Sequence, residues 1–185
     1  MGLAEKEMTM NLYHSTLDAI KEIYSSGPYG SHLFFSGFYQ KTRGNIVYSI
    51  KINEDDVIEA WEILDHEVDG NMREIVAEVR DRVEYLLGGL PEDFDDWDAE
   101  QLLKNTRQLS QLARYYDLTD AQIEALDEAD AGEVDWEIQR LTAEAARIAG
   151  FKAVQIEDEM GGSIMIDMLG CEGELSVVEN EEEDQ

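Results

Sequence analysis

The stretch from Trp136 to Met168, WEIQRLTAEAARIAGFKAVQIEDEMGGSIMIDM, constrains the fold of this chain more than any other. Asp135 is placed to cap a helix in which Ile138, Leu141, Ala145 and Ile148 recur at three- and four-residue spacing and so share one buried face. Gly150 is placed to end it, because glycine takes the left-handed conformation without a Cβ penalty. Val154 and Ile156 then alternate with Gln155 and Glu157, the pattern of a half-buried strand, and Ile164 and Ile166 repeat it after a Gly161-Gly162 turn. The carboxylates Glu157, Asp158 and Glu159 therefore stand where a strand runs out. A rigid element can aim a catalytic group there while the neighbouring turn leaves room for a ligand. Plain solvated charge at a turn has the same signature.

The N-terminal third offers partners for that strand pair. NLYHST is a strand candidate that runs into an expected helix, with Ser15 and Asp18 at capping-box spacing and Leu17, Ile20 and Tyr24 on one face before the GPYG turn at Gly27 to Gly30. His32 to Ser36 predicts a short buried strand, and in NIVYSIKI the residues Ile46, Tyr48, Ile50 and Ile52 share a face. From Asn53 to roughly Glu133 the pattern becomes helical and acidic. Asn53 to Asp56 can cap a helix through Ile58, Trp61 and Leu64, and a longer one runs from Met72 through Val79 and Val83 to Leu87, stopping at Gly88-Gly89. A third is expected from about Asp98 through Leu102, Leu109, Leu112 and Tyr116, and a fourth, carrying Ile123 and Leu126, is capped at Thr119. The expectation is one α+β domain over 1–185 with a helical insertion at 53–133, whose last strand pair returns to the N-terminal strands. ELSVVENEEEDQ holds one more strand candidate and an acidic tail.

Composition narrows the function classes. A formal net charge of −29 argues against gripping a phosphate backbone through a basic surface, so no direct nucleic-acid contact is expected. It permits a solvated acidic surface, or one that competes for a protein's nucleic-acid groove by resembling DNA in charge. No apolar run approaches the roughly 20 residues that cross a bilayer, and MGLAEKEMTM lacks the basic start and apolar stretch of a signal peptide, so no membrane contact and a cytoplasmic location are expected. Cys171 is the single cysteine, which fits a reducing compartment. The acidic PEDFDDWDAE fails as a calcium loop: counted from Asp93, its sixth and twelfth places hold Asp98 and Lys104 in place of glycine and glutamate, and no metal site is expected.

Three scattered pieces carry a resemblance: LYHST ending at Thr16, HLFFSGFY from His32 to Tyr39, and IEDE from Ile156 to Glu159. Their order resembles the mono-ADP-ribosyltransferases of the diphtheria-toxin and poly-ADP-ribose-polymerase type. The chain is more closely similar to phage ADP-ribosyltransferases that act as anti-CRISPR proteins against type I-F systems. Those carry an LFHGS-like start and a block of the form WELQRL, LGY, MEDEHG, matched here by Trp136 to Leu141, Ala149 to Phe151 and Ile156 to Gly161, and continuing to Gly170-Cys171. Ser15 stands where the family has a glycine, and the helical insertion is longer.

The resemblance implies an ADP-ribosyltransferase-like split antiparallel sheet and a glycosyl transfer from NAD to a host protein, a CRISPR surveillance-complex subunit with a basic surface. It places the catalytic carboxylate on Asp158, with Glu157 and Glu159 orienting the acceptor or water. It places NAD against Tyr13, His14, Ser15, Thr16, Phe34, Phe35, Ser36 and Tyr39: His14 on a ribose hydroxyl or the adenosine side, the Ser15 backbone on the nicotinamide amide, and one of Phe34, Phe35, Phe38 or Tyr39 as the stacking ring. Cleaving the nicotinamide-ribose bond builds positive charge on the sugar, so a fixed carboxylate stabilises what appears only in the transition state. The competing reading is a non-enzymatic acidic DNA mimic that occupies a basic groove stoichiometrically.

Overall fold

The computed structural model describes residues 8–25, 30–39, 46–66, 70–158 and 161–178. Two sheets form, and they are split as expected. In the first, β1 (Thr9–Thr16) pairs antiparallel along its whole length with β3 (Ile46–Asn53), which also takes the short β7 (Ser176–Val177). In the second, β2 (His32–Phe35) pairs antiparallel with β6 (Gly161–Asp167), β6 with β5 (Ala153–Asp158), and β5 in parallel with β4 (Val57–Glu59). The C-terminal strand pair thus returns to an N-terminal strand, and β4 adds a parallel edge that the antiparallel expectation did not include. Tyr13 and Ser36 join the two sheets by exchanging backbone hydrogen bonds of 2.9 Å in each direction.

Helices α1 (Asn71–Leu87), α2 (Asp96–Leu103), α3 (Asp120–Asp127) and α4 (Ala129–Ile148) complete the chain. Two apolar clusters organise it. Val79 and Val83 of α1, Leu103 of α2 and Leu141 of α4 pack against Val154, Ile156 and Met165 on one face of the second sheet. Leu12, Phe35, Ile50, Ile52, Ala153, Ile164 and Ile166 fill the space between the sheets. β6 alternates between the clusters and is buried on both sides, whereas its sequence suggested burial on one.

Several sequence expectations are corrected. The segment after β1 is not a helix: Leu17 and Tyr24 are exposed, and the backbone N–H groups of Ile20 and Ile23 donate instead to the Tyr48 hydroxyl (2.9 Å) and Glu172 Oε1 (3.2 Å). Tertiary partners have displaced the local pattern. The helix expected through Ile58, Trp61 and Leu64 is a 3-10 turn at Glu54–Asp56, strand β4 and a 3-10 helix at Ala60–His66. Ile58 is buried on the open edge of β5, and three residues per turn bring Ala60 and Ile63 to one buried face. The helix expected from Asp98 to Tyr116 breaks into α2 and a 3-10 helix at Leu109–Arg114, with Asp95 as the cap and Asp98 closing the capping box.

α4 begins at Ala129 and not at Asp135, because Ala131 and Val134 extend its buried face; Asp135 Oδ2 accepts a hydrogen bond from Gln139 Nε2 at 2.9 Å. Gly161 and Gly162 are strand residues opposite Asp158 and Glu157 rather than the turn. The cap at Thr119, which the structure closes as a capping box with Gln122, and the stops at Gly88 and Gly150 are as expected. Of the GPYG turn only Gly30 lies within the described residues, and the acidic tail lies outside them.

Because Leu141 is fully buried between helices and sheet, Leu141→Ala should lower unfolding free energy by about 2–5 kcal/mol in urea titration, whereas Tyr85→Ala, at an exposed site, should stay within about 0.5 kcal/mol. Equal shifts would contradict this core.

Candidate functional site

The sheets meet at Tyr13 and Ser36 and diverge beside them, opening a cleft of about 1670 Å³. Its walls come from the end of β1, from β2, from α4 through Trp136 and Gln139, from the loop after α2, and from the β5–β6 end through Glu157, Gly161 and Gly162. Opposite the carboxylates stand glycines, and a Cβ built on Gly161 would meet nothing within 4 Å, so that end of the cleft is open.

His14 sits in this wall with Nδ1 2.8 Å from the Phe34 carbonyl oxygen. A carbonyl only accepts, so Nδ1 carries the proton and Nε2, across the ring, is left as the acceptor. Burial lowers the imidazole pKa, and the hydrogen bond to Phe34 opposes that shift without cancelling it. The ring leans on Phe35 at a centroid distance of 5.7 Å. Next to it Ser15 Oγ is buried and has no hydrogen-bond partner among the described residues.

The four candidate rings separate. Phe35 is 1 % exposed and backs His14. Phe34 lines the cleft, edge-on to Trp136 at 5.3 Å, and Phe38 lines it while largely exposed. Tyr39 packs edge-on against Tyr13 at 5.8 Å. Neither Tyr39 nor Thr16 is among the cleft-lining residues, whereas Tyr13, His14, Ser15, Phe34, Phe35 and Ser36 are.

Glu157 is exposed at the cleft, and its backbone N–H donates to Asn105 Oδ1 at 2.9 Å. Burial raises the pKa of the neighbouring Glu59, and the charges of Glu62 and Glu157 push it further up. Asp158 is described as a strand residue paired with Gly161, but its side chain, like all of Glu159, lies outside the described residues. Sequence reasoning missed Asn105, Gln108 and Gln139 as cleft residues. The one available signal was an asparagine just past the LLK end of a helix, a position where asparagine tolerates left-handed backbone.

A second recess of about 410 Å³ adjoins at Gly30 and His32 and is lined by Arg140, Arg147 and Asp167. Ser31 Oγ donates to Asp167 at 2.5 Å. Burial pushes Asp167 up, but that hydrogen bond, the Leu169 N–H and the charges of His32 and Arg147 together hold it below the ordinary carboxylate value. Cys171 is half-buried against the inter-sheet cluster, where burial and nearby carboxylates push its thiol up, away from the thiolate a nucleophile needs.

Residues 10–170 match the family described as Anti-CRISPR Type I-F ADP-ribosyltransferase AcrIF11. The chain belongs to this family. The match runs from β1 through the helices to the end of the β5–β6 unit, so every wall of the cleft falls inside it. The family is one of ADP-ribosyltransferases, which implies NAD as the donor substrate and a protein target in a CRISPR system. A solved structure titled "Crystal structure of an anti-CRISPR protein" is similar at 20% identity over 92% of this chain and 94% of that one, with a TM-score of 0.47. No curated protein matches. No helix among the described residues is long and apolar enough to cross a membrane.

The histidine geometry in this anti-CRISPR ADP-ribosyltransferase gives a pH expectation. A histidine whose folded pKa is depressed contributes stability that is complete above its unfolded value of about 6.5 and is lost as pH falls below it. Nitrogen-detected NMR should show neutral His14 protonated on Nδ1 and titrating below about 6.5. A midpoint at or above that value would contradict the buried placement.

Proposed function

We propose that this protein transfers ADP-ribose from NAD to a polar side chain on a subunit of a CRISPR surveillance complex and thereby blocks that complex's recognition of DNA. The observation that carries the reading is the meeting, within the family-matched span, of the β1 end bearing His14 and the β5 end bearing Glu157 on one dinucleotide-sized cleft. In the reaction the bond between nicotinamide and ribose C1′ breaks, and nicotinamide leaves with the bonding electrons. Positive charge develops on the ribose, where Asp158 stabilises it beside the 2′-hydroxyl. The target's side chain then bonds to C1′ and gives up its proton, for which Glu157 and Glu159 are the nearest acceptors in sequence.

Neutral His14, with Nδ1–H committed to Phe34, accepts a hydrogen bond from a ribose hydroxyl on Nε2. The backbone at Ser15 takes the nicotinamide amide, and its buried, unpartnered hydroxyl supports a polar ligand at that wall. Phe34 and Phe38, which line the cleft, are the candidate rings for the nicotinamide, and Trp136 packs edge-on against the first. The acidic surface, with a formal net charge of −29 over the chain, docks on a basic surface of the target.

Purified target complex incubated with NAD labelled in the adenylate should acquire label, and Asp158→Ala should reduce transfer by about 10²–10³-fold while NAD binding persists. Equal labelling by Asp158→Ala would overturn the assignment. Inhibition that needs no NAD, scales with protein amount and collapses at higher ionic strength would instead support the acidic DNA mimic.

A further inference from the structure

β5 loses its neighbour just before it reaches the cleft. β4 accompanies it only as far as Glu59, opposite Gln155, and past that point β6 alone continues beside it. An edge strand with an unpaired N–H frays, and here the fraying end would be the one that carries Glu157 and Asp158. Asn105 intervenes: its Oδ1 accepts the Glu157 N–H at 2.9 Å, a bond of the kind a longer β4 would have supplied.

Asn105 is itself firmly held. It has left-handed backbone (φ +55°) at the end of α2, with its N–H on the Leu102 carbonyl at 3.0 Å, and the N–H groups of Thr106 and Arg107 fold back on Gln101 at 3.0 and 3.2 Å. The Arg107 guanidinium donates to Asp98 at 2.7 Å and lies between the rings of Trp97 and Tyr115, 4.6 and 4.2 Å from their centroids. Asp98 in turn closes the α2 capping box by accepting from the Asp95 N–H. Both partners of this ion pair are largely buried, so it restrains the loop far more than a surface pair would. The same loop places Gln108 and Leu109 in the cleft wall.

We propose that Asn105 is a positioning residue for ADP-ribosyl transfer, pinning the end of β5 so that its carboxylates keep their place, and that Arg107 acts as the clasp that holds Asn105 there. This rests on the enzymatic reading above. The helical segment therefore contributes to the reaction site as well as to the surface.

The test compares Asn105→Gly, which keeps the left-handed backbone but removes the acceptor, with Asn105→Asp, which keeps an acceptor oxygen. Asn105→Gly should lower kcat for NAD cleavage between about tenfold and a hundredfold with KM for NAD within about twofold, and Asn105→Asp should restore most of the rate. Amide hydrogen exchange at Glu157 should quicken in Asn105→Gly and stay near the wild-type rate in Asn105→Asp, a readout that does not depend on turnover. Unchanged Glu157 exchange, unchanged kcat, or a parallel loss of NAD affinity and melting temperature would overturn the positioning role. A wild-type protein that cleaves no NAD in the presence of the target complex would overturn the enzymatic reading, while the exchange comparison would still decide whether Asn105 holds the strand.

Discussion

Among the described residues one isolated backbone bridge ties the two sheets together beside the cleft. Tyr13 and Ser36 exchange two hydrogen bonds of 2.9 Å, and through them the sheet built on β1 and the sheet built on β2 stay edge to edge at one place. Had the strands paired along their length, the sheets would have merged into one continuous surface with no opening. Joined there, they leave a wedge that is apolar on the inner side, where Leu12, Phe35 and Ile50 pack, and that mixes aromatic with polar and charged residues along the cleft. His14 lies at the boundary. Its ring rests on the apolar wedge through Phe35, and its Nδ1–H satisfies the Phe34 carbonyl on the strand across the split. The same constraint that opens the cleft therefore selects the tautomer of the group that faces it.

The opposite wall is assembled by packing. β6 is buried on both sides, with Met165 toward the helices and Ile164 and Ile166 toward the first sheet, so it is the rigid spine of the domain. β5 draws rigidity from it by antiparallel pairing, and α4, which leads directly into β5, is bound to the α2 end by the Thr142 hydroxyl on the Leu103 carbonyl at 2.8 Å. The loop that presents Asn105 begins at that end of α2. Helix packing, loop placement and the set of the strand end are links in one chain of contacts, which explains how a helical segment comes to reach the cleft at all.

The unit from α4 through β6 was legible in sequence because its signals are local: a 3.6-residue stripe, a glycine stop and two alternating runs. The β1 and β3 strands were legible for the same reason. What misled were stretches whose local pattern was outbid by distant partners. Ser15 and Asp18 have the spacing of a capping box, yet the segment is not helical, and Tyr48 and Glu172 take the N–H groups of Ile20 and Ile23. Ile58 opened an apparent helical stripe with Trp61 and Leu64, yet the open edge of β5 recruits Val57–Glu59 as a parallel strand, a pairing across roughly a hundred residues that no window of sequence displays. Asn105 was overlooked for a related reason. A polar residue between two helices looks like solvent-facing loop until the strand end it serves has been placed beside it. The family's short motifs did what periodicity could not, linking His14 on β1 with the β5 end before any contact between the sheets was visible.

The charge distribution completes the physical picture. With 14 lysines and arginines against 43 aspartates and glutamates, cations are scarce, and where they are used is informative. Arg82 reaches Glu78 on its own helix and Glu137 on α4, Arg80 ties α1 to Asp96 of α2, Lys152 ties the start of β5 to Asp56, and Arg107 clasps the cleft loop. All but the last are partly exposed, where solvent screens them, so they count for little beside the large excess of carboxylates. Salt acts on this balance in two opposed directions. Screening over about 8–10 Å relieves the repulsion within the fold and stabilises it, while weakening any attraction to a basic surface. An acidic excess that costs stability at low salt and strengthens long-range attraction under the same conditions is better understood as a feature of encounter than of folding. Under the function proposed above, the carboxylate surface would steer the enzyme toward a basic target surface, and the small, well-neutralised region around Asp98 and Arg107 would keep the end of β5 in order once it has arrived.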